Sequence, residues 1–187
     1  MVAEKDYIEI PLGGRKYPGR VALVDGDVDQ LVMETAWTAT VKNKNRSRGD
    51  DVWLVEYAVG RNKKHGLNGF PLNLYLHRVV MGVTDPGIQI DHINRNGLDC
   101  RRPNLRISSQ QQNVFNTRPH RDSSSKFKGV HWHSGAKRWR AFISHDGRHV
   151  HLGLFKSEID AAVAYDNGAM ELFVDFAYLN FPERKAS

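Results

Sequence analysis

Short apolar runs separated by turn residues fill the first two thirds of the chain, and helical spacing dominates only near its end. Tyr7-Ile8-Glu9-Ile10 alternates and is followed by Gly13-Gly14, and Val21-Ala22-Leu23-Val24 ends at Asp25-Gly26-Asp27, so two strands with turns are predicted. Asp29 to Trp37 predicts a short helix with Leu31, Val32 and Thr35 on one side. Lys42 to Asp51 is polar and reads as an exposed loop, and Val52 to Val59 has the β-branched and aromatic content of a strand. Gly60 to Gly69 is a second basic turn. Leu74 to Met81 places Leu74, Val80 and Met81 on one helical face, with His77 and Arg78 in its middle, and Thr84 to Gly87 is a turn. His77 is expected to orient the fold through a hydrogen bond rather than to act in chemistry.

From Gly87 to Ile93 isoleucines alternate with polar residues, which predicts a strand with Gln89, Asp91 and Ile93 on one face and Ile88, Ile90 and His92 on the other. Asn94 to Asp99 has loop chemistry, Leu105-Arg106-Ile107 returns as a short strand, and Gln110 to Thr117 follows as a helix capped by Ser108 or Ser109, with Gln112 completing a capping box after Ser109. Residues 119–126 have the composition of a linker. Beyond it, strands are predicted over Gly129–His133, Trp139–Ile143 and His149–Gly153, with Asp146-Gly147 as a hairpin turn. Ser157 caps a helix on which Ala161, Ala162, Tyr165, Ala169, Leu172 and Phe173 recur at helical spacing, forming a face for the sheet. The fold class expected is α+β: a β-rich module and hairpin core over residues 1–118, with the core at about 74–118, then a three-stranded sheet packed on one helix over 127–183.

Composition narrows the partners. The 187 residues carry a net charge of +6 with a pI near 9.5, which points toward a polyanion. Lys42, Lys44, Arg46 and Arg48 read mainly as a solvated run. The single cysteine, Cys100, can form neither an internal disulfide nor a cysteine-rich zinc site. The N-terminus has no apolar signal core and no run approaches the ~18–20 apolar residues of a membrane span, so a soluble intracellular protein is expected.

The chemistry concentrates between Ile90 and Asn116. His92 and Asn104 are 12 residues apart, and Asn104 and Asn113 are 9 apart. A hairpin followed by a helix can bring Asp91, His92, Asn104 and Asn113 to one point, where carboxylate, imidazole and amide oxygen suit a hard divalent cation and a base that activates water. Asp-His, Asn-Leu-Arg and a downstream Asn at these spacings resemble the HNH family of ββα-metal endonucleases, in the branch of phage and mobile-element homing enzymes, and the likeness extends upstream to L-H-R-V-V-M-G. The resemblance implies His92 as general base, Asp91 and Asn113 as metal ligands with Asn116 as the alternative ligand, and Asn104 as the residue that orients the base. Mg²⁺ is the ion implied, with Mn²⁺ as substitute. No structural zinc is expected, since the paired cysteines of many relatives are absent. Cys100 stands where relatives tend to have Asn, and is expected beside the turn rather than in the site. Arg95, Arg101, Arg102 and Arg106 suit phosphates around the cut.

Lys126 to Pro182 carries F-K-G-V, the Trp139 strand, H-L-G-L-F, A-A-x-A-Y-D and L-N-F-P, and so resembles the Apetala/ethylene-response-factor (AP2/ERF) DNA-binding domain. The resemblance implies a sheet laid in the major groove. His131, His133, Arg140, Ser144, His149 and His151 are the residues expected on the DNA side, although several of these positions are usually Arg or Trp in plant relatives. The function expected is a site-specific duplex-DNA endonuclease of homing or mobile-element type, acting as a monomer or, for double-strand breaks, as a dimer. The competing expectation is a non-catalytic DNA-binding regulator on an inactive HNH scaffold, with RNA binding a weaker third.

Overall fold

The computed structural model describes residues 6–14, 18–43, 54–61, 69–117, 123–145 and 147–183. The expected loop at Lys44, Arg46 and Arg48, the start of the strand at Val52 and Trp53, most of the Gly60–Gly69 turn, the first part of the 119–126 linker and Asp146 fall outside them. Two compact units are formed, Met1–Ser109 and Gln110–Ser187, so packing divides the chain ahead of the 119–126 segment. The architecture is mixed α and β, with four small antiparallel sheets among the described residues.

In the first unit β1 (Tyr7–Pro11) pairs antiparallel with β2 (Val21–Asp25), setting Ile10 opposite Ala22 and Ile8 opposite Val24. Alternation buries Ile10, Ala22 and Val24 against the core. Asp29 caps α1 (Gln30–Glu34), its carboxylate accepting the Leu31 N–H at 2.7 Å. The helix expected to reach Trp37 stops early. Thr35 is extended and Trp37 opens β3 (Trp37–Asn43), where Thr38 and Thr40 favour a strand. The buried Trp37 indole donates to the Val32 carbonyl at 2.8 Å, so the tryptophan that was expected to continue the helix instead packs back on it.

β3 pairs with β4 (Leu54–Arg61), and β4 with β5 (Asn73–Tyr75). Leu74 therefore belongs to a strand rather than to the expected helical face. Its partner is Gly60, and the helix α2 starts two residues later (Leu76–Val80). Arg78 of α2 donates to the carbonyls of Ile88, at 2.8 Å, and of Asp85, pinning the turn that leads into the next strand. That strand, β6 (Gln89–His92), forms a hairpin with β7 (Leu105–Ser108). One apolar core joins all of these elements, with Val24, Val32, Leu74, Leu76, Ile90 and Leu105 at its centre.

The second unit opens with α3 (Gln110–Phe115). β8 (Val130–His133), β9 (Arg138–His145) and β10 (Arg148–Phe155) follow as an antiparallel sheet with β9 in the middle. The helix α4 (Glu158–Phe173) is capped by Ser157 and buries Ala161, Ala162, Tyr165, Ala169 and Phe173. Leu172, expected on that face, is exposed. Asp166 is fully buried in α4 and accepts the N–H groups of Asn180 and Phe181 at 2.8 and 2.9 Å, so the L-N-F-P segment is tied to the helix. Within the segment expected as linker, Ser123, Ser124 and Ser125 are part of this unit: the Ser124 hydroxyl accepts the Trp132 N–H at 2.7 Å and Ser125 donates to Glu158 at 2.7 Å. No helix among the described residues is long and apolar enough to cross a membrane.

Candidate active site

The hairpin places Asp91 and His92 at the end of β6, and both are buried. Their register partners on β7 are Arg106 and Leu105. The loop between the strands is held by its own asparagines. Asn94 accepts the Asn96 N–H at 2.9 Å and Asn96 accepts the Leu98 N–H at 3.1 Å, two Asx turns in succession, while Arg95 takes a left-handed φ of 65°. The Leu98–Cys100 segment then runs beside β2, with Leu23 N–H donating to the Leu98 carbonyl and Cys100 N–H to the Leu23 carbonyl, each at 2.8 Å. The far end of the loop is thereby fixed to the core.

Asn104 is the brace across this loop. Its side-chain oxygen accepts the Asn94 N–H at 2.9 Å, its amide group donates to the Asp99 carbonyl at 2.7 Å, and its backbone carbonyl accepts the Ile93 N–H at 2.9 Å. It holds the segment that follows His92. Asp99 is a second hub, taking Arg101 on both oxygens at 2.8 and 2.7 Å and Asn94 at 2.8 Å. The Arg101 guanidinium holds the Asp99 carboxyl below the usual range.

Three side chains that the sequence did not assign to the site touch His92, and a fourth packs behind them. His77 of α2 meets it edge-on with ring centroids 5.0 Å apart, and Tyr57 of β4 lies at 6.0 Å. Tyr75 of β5 packs on His77 at 5.6 Å. The third to touch His92 is Cys100, whose Sγ is 3.9 Å from His92 Nε2, which corrects the expectation that it stands apart from the site. His77 was visible as a polar residue in an apolar run. The tyrosines gave no local signal, because only the β4–β5 pairing brings them here. Burial among these groups drives the His92 pKa down to about 4, against the opposing pull of Asp91 and Asp99. At neutral pH the ring is therefore uncharged, the form that can accept a proton. Burial also pushes the Cys100 thiol up to about 12, so it faces the imidazole as a neutral group.

Three of the four arginines expected at phosphates are paired with carboxylates of the protein. Arg106, assigned to phosphate, instead sets Nε and Nη2 on Asp91 Oδ2 at 2.9 and 2.6 Å. Arg101 is taken by Asp99, and Arg102 by Asp27 at 2.5 Å and Asp25 at 3.5 Å. Each has a carboxylate within reach: two residues away for Arg101, across the hairpin for Arg106, and more than seventy residues upstream for Arg102. Arg95 is exposed in the loop.

Asn113 and Asn116 lie in and just after α3, in the second unit. This helix is fastened there. Phe115 stacks on Phe173 with centroids 3.7 Å apart, and the Lys128 ammonium donates to the carbonyls of Phe115 and Thr117 at 2.6 and 2.8 Å. Among the described residues no group of three or more His, Cys, Asp or Glu side chains is gathered to hold a metal ion. The buried Asp91 carboxylate beside an imidazole suits one coordination position of a hard divalent cation. The amide oxygens of Asn113 and Asn116 are donors of the same hard class.

In the second unit the six residues expected on the DNA side share one face of the sheet, opposite α4. Register sets His131 across from Arg140 and His149 across from Ser144, while His133 and His151 follow on the same face two residues along their strands. Phe142, left out of that set, is its centre. It stacks on His131 at 5.0 Å, meets His149 edge-on at 5.2 Å and carries the Arg140 guanidinium at 5.3 Å. With His133, Arg140, His149, His151 and Leu154 it lines a shallow open concavity.

Residues 74–115, which span α2, the β6–β7 hairpin and α3, match the family model described as HNH endonuclease. The chain is 32% identical over 125 residues to an uncharacterized HNH endonuclease of Acanthamoeba polyphaga mimivirus, covering 62% of this chain and 64% of that protein. It is 30% identical over 67 residues to Protein 3.8 of Escherichia phage T7, covering 36% of this chain and 55% of that protein. The chain thus spans between half and two thirds of the length of these curated relatives. No solved structure matches it. Over residues 74–115 the chain is thus similar to the HNH endonuclease family, and these two relatives come from a virus and a phage.

Proposed function

We propose that the protein is a site-specific DNA endonuclease that hydrolyses phosphodiester bonds with one divalent metal ion, a homing or mobile-element enzyme that works on duplex DNA inside the host cell. The observation that carries this reading is His92, buried, uncharged at neutral pH and adjacent to Asp91 on a hairpin whose loop Asn104 locks. His92 takes the proton of the attacking water. Asp91 and Asn113 offer oxygen ligands, with Asn116 as the alternative to Asn113. When bound, Mg²⁺, or Mn²⁺ in its place, supplies Lewis-acid stabilisation of the charge that builds on the phosphate and the leaving 3′ oxygen. The products expected are 5′-phosphate and 3′-hydroxyl ends.

The second unit is proposed to dock on DNA as an AP2/ERF-like domain. Support comes from the shared face of His131, His133, Arg140, Ser144, His149 and His151, which presents cationic and hydrogen-bonding groups around Phe142. A β surface of this kind suits the major groove. One active site per chain implies nicking by a monomer, with double-strand breaks requiring a dimer or two successive nicks.

A second reading has one observation in its favour. The Arg106 guanidinium occupies Asp91, which is the arrangement expected of a DNA-binding regulator on an inactive scaffold. The two readings separate on a supercoiled DNA library incubated with the full chain in Mg²⁺ and, in parallel, in EDTA. Relaxed or linear product in Mg²⁺ alone, with 5′-phosphate ends on sequencing, supports the nuclease. Binding without cleavage in Mg²⁺ or Mn²⁺, on a library shown to contain the bound site, selects the regulator.

A further inference from the structure

We infer that Arg106 changes partner during the catalytic cycle: it neutralises Asp91 in the metal-free protein and passes to a substrate phosphate when a divalent cation takes the carboxylate. The inference rests on the proposed role of Asp91 as a metal ligand. It begins from a contrast among the arginines of the hairpin. Arg101 and Arg102 are bound to Asp99, Asp25 and Asp27, carboxylates that belong to the scaffold. Arg106 alone of the three is bound to the carboxylate that stands next to His92.

The geometry of the pair fits a stand-in cation. Arg106 lies directly across the hairpin from Asp91, and its Nε and Nη2 reach Asp91 Oδ2 at 2.9 and 2.6 Å. The Asp91 side chain is 7% exposed, and a carboxylate so buried is strongly disfavoured without a positive partner. The guanidinium supplies that partner in the absence of metal. A divalent cation bound to the same carboxylate would face the guanidinium across a few ångströms, and the two like charges repel. Arg106 is the member of the pair that can leave: its side chain is 15% exposed and its stem is long. A phosphate diester is an anion suited to its planar fork of donors. The sequence-based assignment of Arg106 to phosphate and its observed position on Asp91 are then two states of one residue.

Two consequences follow from the exchange. In the absence of DNA, cation binding must displace Arg106, so the wild-type affinity is held down. With DNA present, the phosphate receives the displaced guanidinium, so cation and DNA bind cooperatively, and by linkage each raises the affinity of the other by the same factor.

The test is calorimetric titration of the full chain with Mn²⁺, without DNA, for wild type, Arg106→Gln, Arg106→Lys and Asp91→Asn, each checked for folding by circular dichroism. Arg106→Gln is expected to bind Mn²⁺ about tenfold more tightly than wild type, Arg106→Lys to fall between them, and Asp91→Asn to lose binding. Unchanged or weaker affinity in folded Arg106→Gln overturns the exchange. Should Arg106→Gln not fold, Arg106→Lys carries the test, and no gain in affinity there overturns it equally. Mn²⁺ binding that Asp91→Asn abolishes and Arg106→Gln leaves unmoved sinks the exchange alone. Binding that Asp91→Asn does not touch, or no binding by any folded form, sinks the metal reading with it. Repeating the titration with Ca²⁺ on a DNA duplex gives a second readout: DNA should tighten Ca²⁺ binding several-fold in wild type and much less in Arg106→Gln.

Discussion

Substituting Gly97 by alanine should disable the hairpin without unfolding the protein. Gly97 is the middle residue of the second Asx turn and packs against β4. A Cβ built there would lie 2.2 Å from the Glu56 carbonyl oxygen and 3.1 Å from Tyr57 Cδ1. Ordinary carbon–oxygen approach is about 3.3 Å, so the loop must retreat by roughly 1 Å or β4 must yield. β4 is the central strand of a three-stranded sheet, held on both sides by β3 and β5, and the loop is the softer partner. A retreat moves the segment that connects His92 to Cys100, together with the Asn94–Asn104 brace and the edge of Tyr57 that flanks His92. Overpacking of this kind costs about 1–3 kcal/mol of stability. A displacement of order 1 Å at a reacting group can lower the rate by ~100-fold. The assay is single-turnover cleavage beside urea denaturation and DNA binding. A rate within about threefold of wild type, together with a stability loss below ~0.5 kcal/mol, would refute the claim that this contact sets the loop.

Gly129→Ala should be more damaging to stability, because its φ of 73° is left-handed and an added Cβ would lie 2.0 Å from Tyr165 Cδ2 and 2.6 Å from the Phe142 carbonyl. A loss of ~2–4 kcal/mol in the unfolding of the second unit is expected by denaturant titration, with little change in the first. Asp99 has a folded pKa below its unfolded value, so its contribution to stability is complete above about pH 4 and is lost as pH falls through the folded pKa. The stability difference between wild type and Asp99→Asn, measured by urea melts across pH 2–7, should therefore be flat at neutral pH and shrink in acid; a gap that widens in acid would contradict the Arg101–Asp99 assignment. Arg140→Ala should weaken duplex binding, and if Arg140 meets a phosphate the slope of log affinity against log salt should fall by about 1. An unchanged affinity would remove this face from the interface.

Legibility in the sequence followed the range of the forces involved. Alternation is local, so the β6–β7 hairpin, the three strands of the second unit and the shared face of His131, Arg140 and His149 were readable from residues two apart. The spacing of Asp91, His92 and Asn104 was readable too, since each residue is fixed by the strand or loop that carries it. Failures came where tertiary packing overrode a local pattern. Trp37 left the predicted helix because its indole is buried against the core and reaches back to Val32. Leu74 left its helical face because β4 offered an open edge for pairing. Arg102 is paired with Asp25 and Asp27, more than seventy residues upstream, a contact that no local pattern signals. Cys100 and Tyr57 reach His92 through contacts between β2, β4 and the hairpin loop, and no spacing in the sequence encodes those.

The most direct test of the central claim is the single-turnover cleavage rate of wild type and His92→Ala on a mapped target site in Mg²⁺, with the bound fraction measured in the same reactions. If His92 is the base, the substituted protein stays folded and DNA-bound while its rate falls by a factor of ~100 to 10,000. Cleavage by His92→Ala at or near the wild-type rate, with binding unchanged, would contradict the account.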